Sequence, residues 1–403
     1  MKRSLIAVAA VAGLFAVPAT ASASLCGDHG TTRFFDSQGY YFDFDQSSST
    51  APDYNNPFGS FYDSGSNGPT DSPPGPVQNN DTYDHFGQLF VGGTDNSHMY
   101  WSPDNNSCSN PAAGEHNFPV VTLNGLHVQR KVFVSPSGPL PGARILDLLS
   151  NPGGAPVTTS VQVGDLNSTN NDGDLGSDDT TQVRASSSGD TIASPADFWA
   201  VTNDDTVTTD DNTIAHIVDG QGAAVKANLF QVGGGTVTTA QPQDNVAWGW
   251  TVTVPAHGVV GLMSFEVQQS DTSLSSPTDV AAAVNQANAH ENASLSTLYQ
   301  GMSASEQRSV VNWNASNRFK AKVKKKRLIV KVSAPGKVKV SAKGLKTSKK
   351  AGGPPKIKLK LKLKGSAAQK LRQTGQVKLK AKITFTPNRG FAATQKKKLK
   401  IKG

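Results

Sequence analysis

Lysine alternates with apolar residues near the C-terminus so regularly that only a β-strand can use the pattern. From 356 to 364 every even position is Lys, and Ile or Leu fills every odd position. Successive side chains of a strand point to opposite faces, so all the charge falls on one face and all the apolar surface on the other. Lysines adjacent on such a face lie about 6.7 Å apart and repel each other by about 0.6 kcal/mol even in water. We therefore expect a strand with one buried face and a partner that offsets the repulsion on the other.

The same alternation recurs through residues 317–403, which we call the basic unit. Six or seven strand-like segments, with a single helical turn predicted near 366–375, fit the size of an immunoglobulin-like β-sandwich. The unit holds 30 Lys and Arg and no Asp or Glu. A segment so charged would be expected to be disordered without the alternating apolar residues. The pattern therefore predicts a folded module with cationic outer faces.

Charge divides the chain sharply. All 31 Asp and Glu lie at or before Glu306, whereas 31 of the 39 Lys and Arg lie from Arg308 onward. Residues 24–306 hold six Lys or Arg and carry a net charge of −25. Such asymmetry bears on partners and association rather than on fold.

The N-terminus predicts export. Residues 1–23 have the features of a signal peptide: two basic residues at 2 and 3, an apolar run over 5–17, and small residues at Ala21 and Ala23 before the predicted cleavage. The apolar run is too short to span a bilayer, and no later segment is long and apolar enough. We expect a secreted protein that is extracellular or associated with the cell envelope.

The only two cysteines are Cys26 and Cys108, both in the part that would be exported. Disulfides form and persist in oxidising compartments, so the pair predicts a disulfide, with two free thiols as the alternative. A disulfide that closes the loop between Cys26 and Cys108 would stabilise the fold by about 4–5 kcal/mol on the chain-entropy model.

Residues 24–275 are predicted to form an acidic, antiparallel β-sandwich domain. Over 119–270, short apolar runs are separated by turn residues, which is typical of a sandwich rather than of βαβ units. Trp248 and Trp250 share one face of a strand and are expected in the core. Residues 24–118 are irregular and rich in aromatics, which either fill a core among long loops or form sugar-binding platforms.

Residues 276–316 are rich in helix formers and are predicted to form short helices that pack on the first domain or link it to the second. Ser276 followed by Pro277 is a favourable helix start, and Ser303 with Glu306 matches a capping box. The expected apolar anchors are Val310, Val311 and Trp313.

An acidic loop provides the better candidate for a metal site, ahead of the histidines His85, His98 and His116. Asp172, Asp174 and Asp178 offer hard oxygen ligands suited to calcium, with glycines between them. The order is not that of an EF-hand, and a flexible hairpin rich in Asp and Asn is the alternative reading. No other cofactor is predicted.

The chain contains no known catalytic motif, and among its 31 Asp and Glu no pair of catalytic carboxylates can be selected. We therefore predict no catalytic residue and favour a role without catalysis.

The composition of the basic unit predicts which class of anionic partner it binds. Twenty-six of its 30 cations are lysine, which lacks the planar fork that arginine offers to phosphates and bases, and the unit has no Tyr or Trp. These features argue against specific nucleic-acid binding and favour an anionic cell-wall polymer or an acidic polysaccharide. The acidic first part of the same or a neighbouring molecule is the alternative partner, through docking or head-to-tail association. The predicted polyanion-binding residues are Lys356, Lys358, Lys360, Lys362, Lys364, Lys378, Lys380 and Lys382.

Two parts of the chain resemble known secreted bacterial proteins. The segments "VQRKVFVSPSGPLPGARILDLLSNPGG" and "GMSASEQRSVVNW" resemble a sandwich domain of uncharacterised secreted β-sandwich proteins. The segment "GQVKLKAKITFTPNRGFAATQKKKLKIKG" resembles the Lys-rich Ig-like module at the C-terminus of exported bacterial proteins. The resemblance implies extracellular β-domains and carries no established activity or catalytic residue.

The sequence thus predicts a secreted binding or structural protein, attached electrostatically by its basic unit to anionic envelope polymers. The competing hypothesis is a carbohydrate-active enzyme with its catalytic or sugar-binding site on the N-terminal sandwich. A deep cleft with two close carboxylates and exposed aromatics would favour the enzyme.

Overall fold

The computed structural model describes residues 25–26, 32–44, 61–62, 86–100, 108–110, 114–164, 181–203, 213–233, 245–269 and 277–402. The predicted signal peptide and the calcium candidates Asp172, Asp174 and Asp178 lie outside these residues. The protein is mainly β, and its strands pair antiparallel in several sheets, which confirms the predicted fold class.

The strands before residue 270 are numbered in chain order. They are β1 (Leu25–Cys26), β2 (Thr32–Phe35), β3 (Tyr41–Phe44), β4 (Phe61–Tyr62), β5 (Leu89–Val91), β6 (Cys108–Asn110), β7 (Glu115–Asn117), β8 (Val121–Leu123), β9 (Leu126–Val134), β10 (Ala143–Ser150), β11 (Val157–Val163), β12 (Gln182–Ser186), β13 (Trp199–Asn203), β14 (Thr213–Ile217), β15 (Leu229–Val232), β16 (Val246–Val254) and β17 (Val259–Gln269).

These strands form three sheets in the described part of the chain. The large sheet has the order β1-β6-β7-β9-β10-β17-β14-β13-β12, with β8 also paired to β9. A second sheet has the order β15-β16-β11-β5, and a small one has the order β2-β3-β4. The second sheet packs on one face of the large sheet, as expected for a sandwich.

The strands β10, β17, β14 and β13 of the large sheet are buried on both faces. Ile145 and Leu149 of β10 belong to the core shared with the second sheet, where Trp248 and Trp250 are buried as predicted. Leu146, from the same strand, points to the other face and joins a separate core beneath the helices. Every residue of β13 and β14 is buried, as expected for strands covered on both faces. Buried aromatics of the N-terminal stretch join the first core, in favour of the core reading of that stretch: Phe34, Tyr40, Phe42, Phe86, Tyr100 and Phe118.

Three helices cover the outer face of the large sheet: α1 (Pro277–Asn292), α2 (Leu295–Leu298) and α3 (Ala304–Ser309). The capping box at the start of α3 is confirmed, because the backbone N–H of Ser303 donates to Glu306 Oε2 at 2.7 Å and the Glu306 N–H donates to Ser303 Oγ. Trp313 is fully buried, and its indole N–H donates to the Met263 carbonyl at 2.7 Å. These contacts hold the segment against the large sheet.

The basic unit has nine strands and one helix within residues 317–402. The strands are β18 (Phe319–Lys324), β19 (Arg327–Val332), β20 (Gly336–Ala342), β21 (Leu345–Lys346), β22 (Ser348–Gly352), β23 (Lys356–Lys360), β24 (Lys362–Leu363), β25 (Gln376–Pro387) and β26 (Ala393–Lys402), and the helix is α4 (Gly365–Thr374). One sheet has the order β18-β19-β23, a second has the order β22-β20-β25-β26, and β21 pairs with β24. Apolar residues of the two larger sheets meet in a single core.

Two local predictions for the basic unit are wrong. The Lys-rich segment is not one strand: it breaks at Leu361, whose N–H donates to the Lys326 carbonyl at 2.8 Å, and β24 then pairs with β21 instead. The predicted helical turn is a helix of ten residues, α4, which buries Ala367 and Leu371 and ends at Gly375 in the left-handed region with φ 66°. Small and long-chain residues dominate α4, so its intrinsic helix propensity is higher than a single turn requires.

A loop of the basic unit contacts the helical layer of the first unit, the name we give to the sheets and helices formed by residues before 317. The Ala315 N–H donates to the Arg389 carbonyl at 2.8 Å, and the Arg389 guanidinium donates to the Glu291 carbonyl. The same guanidinium lies 5.9 Å from the ring centre of Trp313, and Phe391 packs on the apolar core of the helices. The two units are therefore joined by specific contacts in addition to the covalent chain.

The predicted disulfide has a compatible backbone arrangement. Strands β1 and β6 pair antiparallel, and their register places Cys26 directly opposite Cys108. Directly opposed residues of an antiparallel pair have Cα atoms about 4.5–5.5 Å apart, within the range that a disulfide spans. We expect non-reducing mass spectrometry of the exported protein to show the two cysteines linked. Recovery of both as free thiols under conditions that preserve disulfides would contradict this prediction.

Candidate polyanion-binding surface

The outer face of the sheet β18-β19-β23 carries a grid of positive charge, which we call the grid face. The register aligns nine outward positions in three rows across the strands. Eight of the nine are cationic and exposed, and the half-buried Ile329 is the ninth. The rows are Lys320–Lys331–Lys356, Lys322–Ile329–Lys358 and Lys324–Arg327–Lys360.

The spacing within a sheet makes this charge dense. Strands lie about 4.8 Å apart and outward residues about 6.7 Å apart along each strand, so each position occupies about 32 Å² of the face. The four-carbon stem of lysine lets the ammonium groups spread, which relieves part of the repulsion. Like charges directly opposite each other on neighbouring strands nevertheless destabilise a sheet.

A second cationic surface, the ladder face, lies on the sheet β22-β20-β25-β26. Lysines of β25 and β26 oppose each other directly in three successive cross-strand pairs, and all six side chains are exposed. The pairs are Lys378–Lys400, Lys380–Lys398 and Lys382–Lys396. Like charges directly opposite each other destabilise the sheet. Two separate sheets thus accept the same electrostatic cost.

The basic unit has no carboxylate of its own to neutralise these faces, because the last acidic residue of the chain is Glu306. Among the described residues, the ion pairs between side chains involve residues from 95 to 306 and none of the lysines of the basic unit. The grid and ladder faces are therefore open to an anion from outside the unit.

The structure divides the eight lysines predicted from sequence among three places. Lys356, Lys358 and Lys360 lie on the grid face. Lys362 pairs across strands with Lys346, and Lys364 is the N-cap residue of α4. The remaining three lie on the ladder face: Lys378, Lys380 and Lys382.

The sequence prediction did not include more than half of the cations of these faces. The additional residues are Lys320, Lys322, Lys324, Arg327, Lys331, Lys396, Lys398 and Lys400. The same alternation of Lys with apolar residues marks most of them, as in "FKAKVK", where the buried face holds Phe319 and Ala321. What the alternation does not give is the register that aligns the strands into rows.

The first unit contains a buried polar chain with the residue types of a catalytic triad. His216 Nδ1 lies 2.6 Å from Glu266 Oε2, and His216 Nε2 lies 2.9 Å from Thr202 Oγ1. All three residues are at most 1 % exposed, and the rings of Phe86 and Trp248 cover the imidazole. Burial raises the pKa of Glu266 despite the nearby His216. No substrate can reach these buried atoms. The three hydrogen-bonded side chains instead connect the neighbouring strands β13, β14 and β17 within the core.

Two carboxylates meet at a single ammonium group beneath α3. Lys131 Nζ lies 2.7 Å from Glu115 Oε1 and 2.8 Å from Glu306 Oε1. Burial lowers the pKa of Lys131, but the hydrogen bonds to both glutamates outweigh it and raise the pKa. For Glu306, burial raises the pKa, and the bond with Lys131 brings the net pKa below its ordinary value. A glutamate with a lowered pKa is ill-suited to act as a general acid.

The cavities beside this cluster are small. One, lined by Glu115, Lys131 and Arg144, has a volume of about 10 Å³. Its neighbour, lined by Arg144, His290 and Gln300, has a volume of about 20 Å³. Each holds about one water molecule, so neither accommodates a sugar ring. The cluster instead ties α3 to strands β7 and β9 of the large sheet.

Within the described residues, no group of three or more His, Cys, Asp or Glu is arranged to hold a metal ion. The helices described there are all too short or too polar to cross a membrane.

Comparison with known proteins adds little to this geometry. No protein-family model matches the chain, and no curated protein matches it. Among solved structures, one titled a polysaccharide lyase aligns with 79 % of this chain at 8 % identity and a TM-score of 0.28. The alignment covers only 40 % of that protein, and a similarity at this TM-score carries no argument about fold or function.

Proposed function

We propose that this chain is a secreted protein of the cell surface, held to anionic polymers of the cell envelope by its basic unit. The grid face is the observation that carries the proposal: exposed cations occupy eight of nine aligned positions on one sheet, in a unit without an acidic side chain. The predicted signal peptide and the predicted disulfide support an extracellular setting.

Lysine determines the kind of partner that fits. An ammonium is a mobile point charge without directional preference, whereas arginine recognises phosphates and carboxylates through paired hydrogen bonds. A surface of lysines therefore favours a flexible polymer with many negative groups over a ligand with one defined geometry. Each lysine near a charged surface contributes about 1 kcal/mol, so affinity comes from the number of contacts.

An envelope polymer fits better than the acidic first part of the same molecule. The acidic residues are scattered from Asp28 to Glu306 and do not form one run that matches a lysine face. The cationic faces also lie on two different sheets, and one domain docked on either sheet would leave the other exposed. The contacts that join the units, around Arg389, lie outside both faces.

The proposal is tested by comparing the chain from residue 24 to 403 with the same chain ended at 316. Both are incubated with washed cell envelopes at low ionic strength, and the bound fraction is measured after sedimentation. We expect the full chain to be retained and the shortened chain to stay in the supernatant, because the removed segment carries 30 positive charges. Circular dichroism of the shortened chain checks that its own sheets are intact. Equal retention of both chains would contradict the proposal.

A further inference from the structure

We infer that the basic unit is bivalent: its grid face and its ladder face each bind a separate anionic polymer chain, so that one protein molecule cross-links two polymers. This inference rests on the proposed attachment to polyanions and adds that the attachment joins polymer strands.

The two faces point away from each other. The inward residues of both sheets form one core, in which Phe319 of β18 and Phe385 of β25 meet edge to face with ring centres 6.2 Å apart. Sheets packed in this way lie about 10 Å apart, and the side chains on their outer faces extend in opposite directions. A polymer lying flat on the grid face therefore cannot contact the lysines of the ladder face.

Each face has enough charge to hold a polymer by itself. The grid face presents eight cations and the ladder face six, and exposed Lys337 and Lys339 on the adjacent strand β20 extend the second surface. If only one face were used for attachment, the cross-strand lysine pairs on the other would destabilise the sheet without an offsetting contact. If each face binds a polymer, the repulsion between lysines is offset on both sheets.

The side of the sandwich between β18 and β26 is closed by side chains. Gln395 donates to the Phe319 carbonyl at 2.9 Å, and the ammonium of Lys397 donates to the Ala321 carbonyl. These bonds join the exposed edge of one sheet to the edge strand of the other, and they fix the two sheets relative to each other. The opposed directions of the faces are therefore a property of a single rigid module.

Three variants of the chain from residue 24 to 403 test the inference, and each loses six positive charges through Lys→Gln substitutions. The grid variant changes Lys320, Lys322, Lys331, Lys356, Lys358 and Lys360. The ladder variant changes Lys378, Lys380, Lys382, Lys396, Lys398 and Lys400. The mixed variant changes three from each face: Lys320, Lys331, Lys358, Lys380, Lys382 and Lys398.

The assay captures each protein on immobilised poly-L-glutamate, washes it, and then adds fluorescent poly-L-glutamate. The first step measures binding and the second measures cross-linking. Sedimentation velocity checks that all proteins have the same oligomeric state, so that a protein dimer is not mistaken for a bivalent monomer. Thermal unfolding checks that each variant is folded.

Bivalence predicts that all three variants bind in the first step, whereas the grid and ladder variants capture at least fivefold less fluorescent polymer than the mixed variant. Equal capture by the three variants at equal first-step binding would overturn the inference, because it would mean that position on a face is irrelevant or that one polymer wraps around the module. That result would leave the proposed attachment intact. Failure of the unaltered protein to bind in the first step would instead refute both.

Discussion

Replacing twelve lysines by glutamine, six on the grid face and six on the ladder face, is expected to abolish retention on washed envelopes. Each lysine contributes about 1 kcal/mol near a charged surface at full strength. If only a third of this remains after screening by salt, the loss is about 4 kcal/mol, which lowers the affinity by about a thousandfold. Bound fractions measured by sedimentation over a range of envelope concentrations give this change directly.

The same variant separates binding from stability. All twelve side chains are exposed, and the substitution removes repulsion between directly opposed lysines, so we expect the melting temperature to stay the same or rise. A matched protein with Lys→Arg at the twelve positions keeps the charge and is expected to keep the retention. Loss of retention in the arginine protein, or normal retention in the glutamine protein, would show that charge on these faces is not what binds.

Replacing Arg130 by alanine is expected to destabilise the first unit by about 3–5 kcal/mol, because it leaves a buried charge without its partner. Arg130 is fully buried, and its Nε and Nη2 donate to the carboxylate of Asp147 at 2.7 and 3.0 Å. A further donor of the guanidinium binds the Gly87 carbonyl, which connects β9 to the segment before β5. Unfolding in urea, followed by tryptophan fluorescence, measures the loss.

The double variant Arg130→Met with Asp147→Leu provides the control. It removes both charges and fills the space with apolar atoms, so we expect it to lose less stability than Arg130→Ala alone. A cost below about 1 kcal/mol for Arg130→Ala would contradict the assignment of this pair as a buried, mutually dependent ion pair.

Features that depend on residues close together in the sequence could be predicted from it. A period of two in "FKAKVK" and "KIKLK" specifies which side chains are buried on β18 and β23, because adjacent residues of a strand necessarily face opposite ways. The capping box at Ser303 and the burial of Trp248 and Trp250 follow from equally local rules. These local predictions were confirmed, whereas the length of α4 was underestimated.

The features that could not be predicted depend on pairing between strands that are distant in the sequence. The row Lys320–Lys331–Lys356 exists because β19 pairs with both β18 and β23 in one register, and no short stretch of sequence encodes that alignment. The break at Leu361 has the same origin, since the chain leaves β19 and pairs with β21, although the alternation of residues continues. The contact of His216 with Glu266 joins residues 50 positions apart, and their spacing in the sequence gave no sign of it.

The most direct test of the account is the salt dependence of retention by the whole exported chain. Protein bound to washed envelopes is eluted in steps of sodium chloride from about 0.1 to 1 M, over which the screening length falls from about 10 to 3 Å. Attachment by many screened lysine contacts predicts that most of the protein elutes within this range and that the twelve-glutamine variant is already in the first wash. Retention that does not change with salt would contradict electrostatic attachment by the two lysine faces.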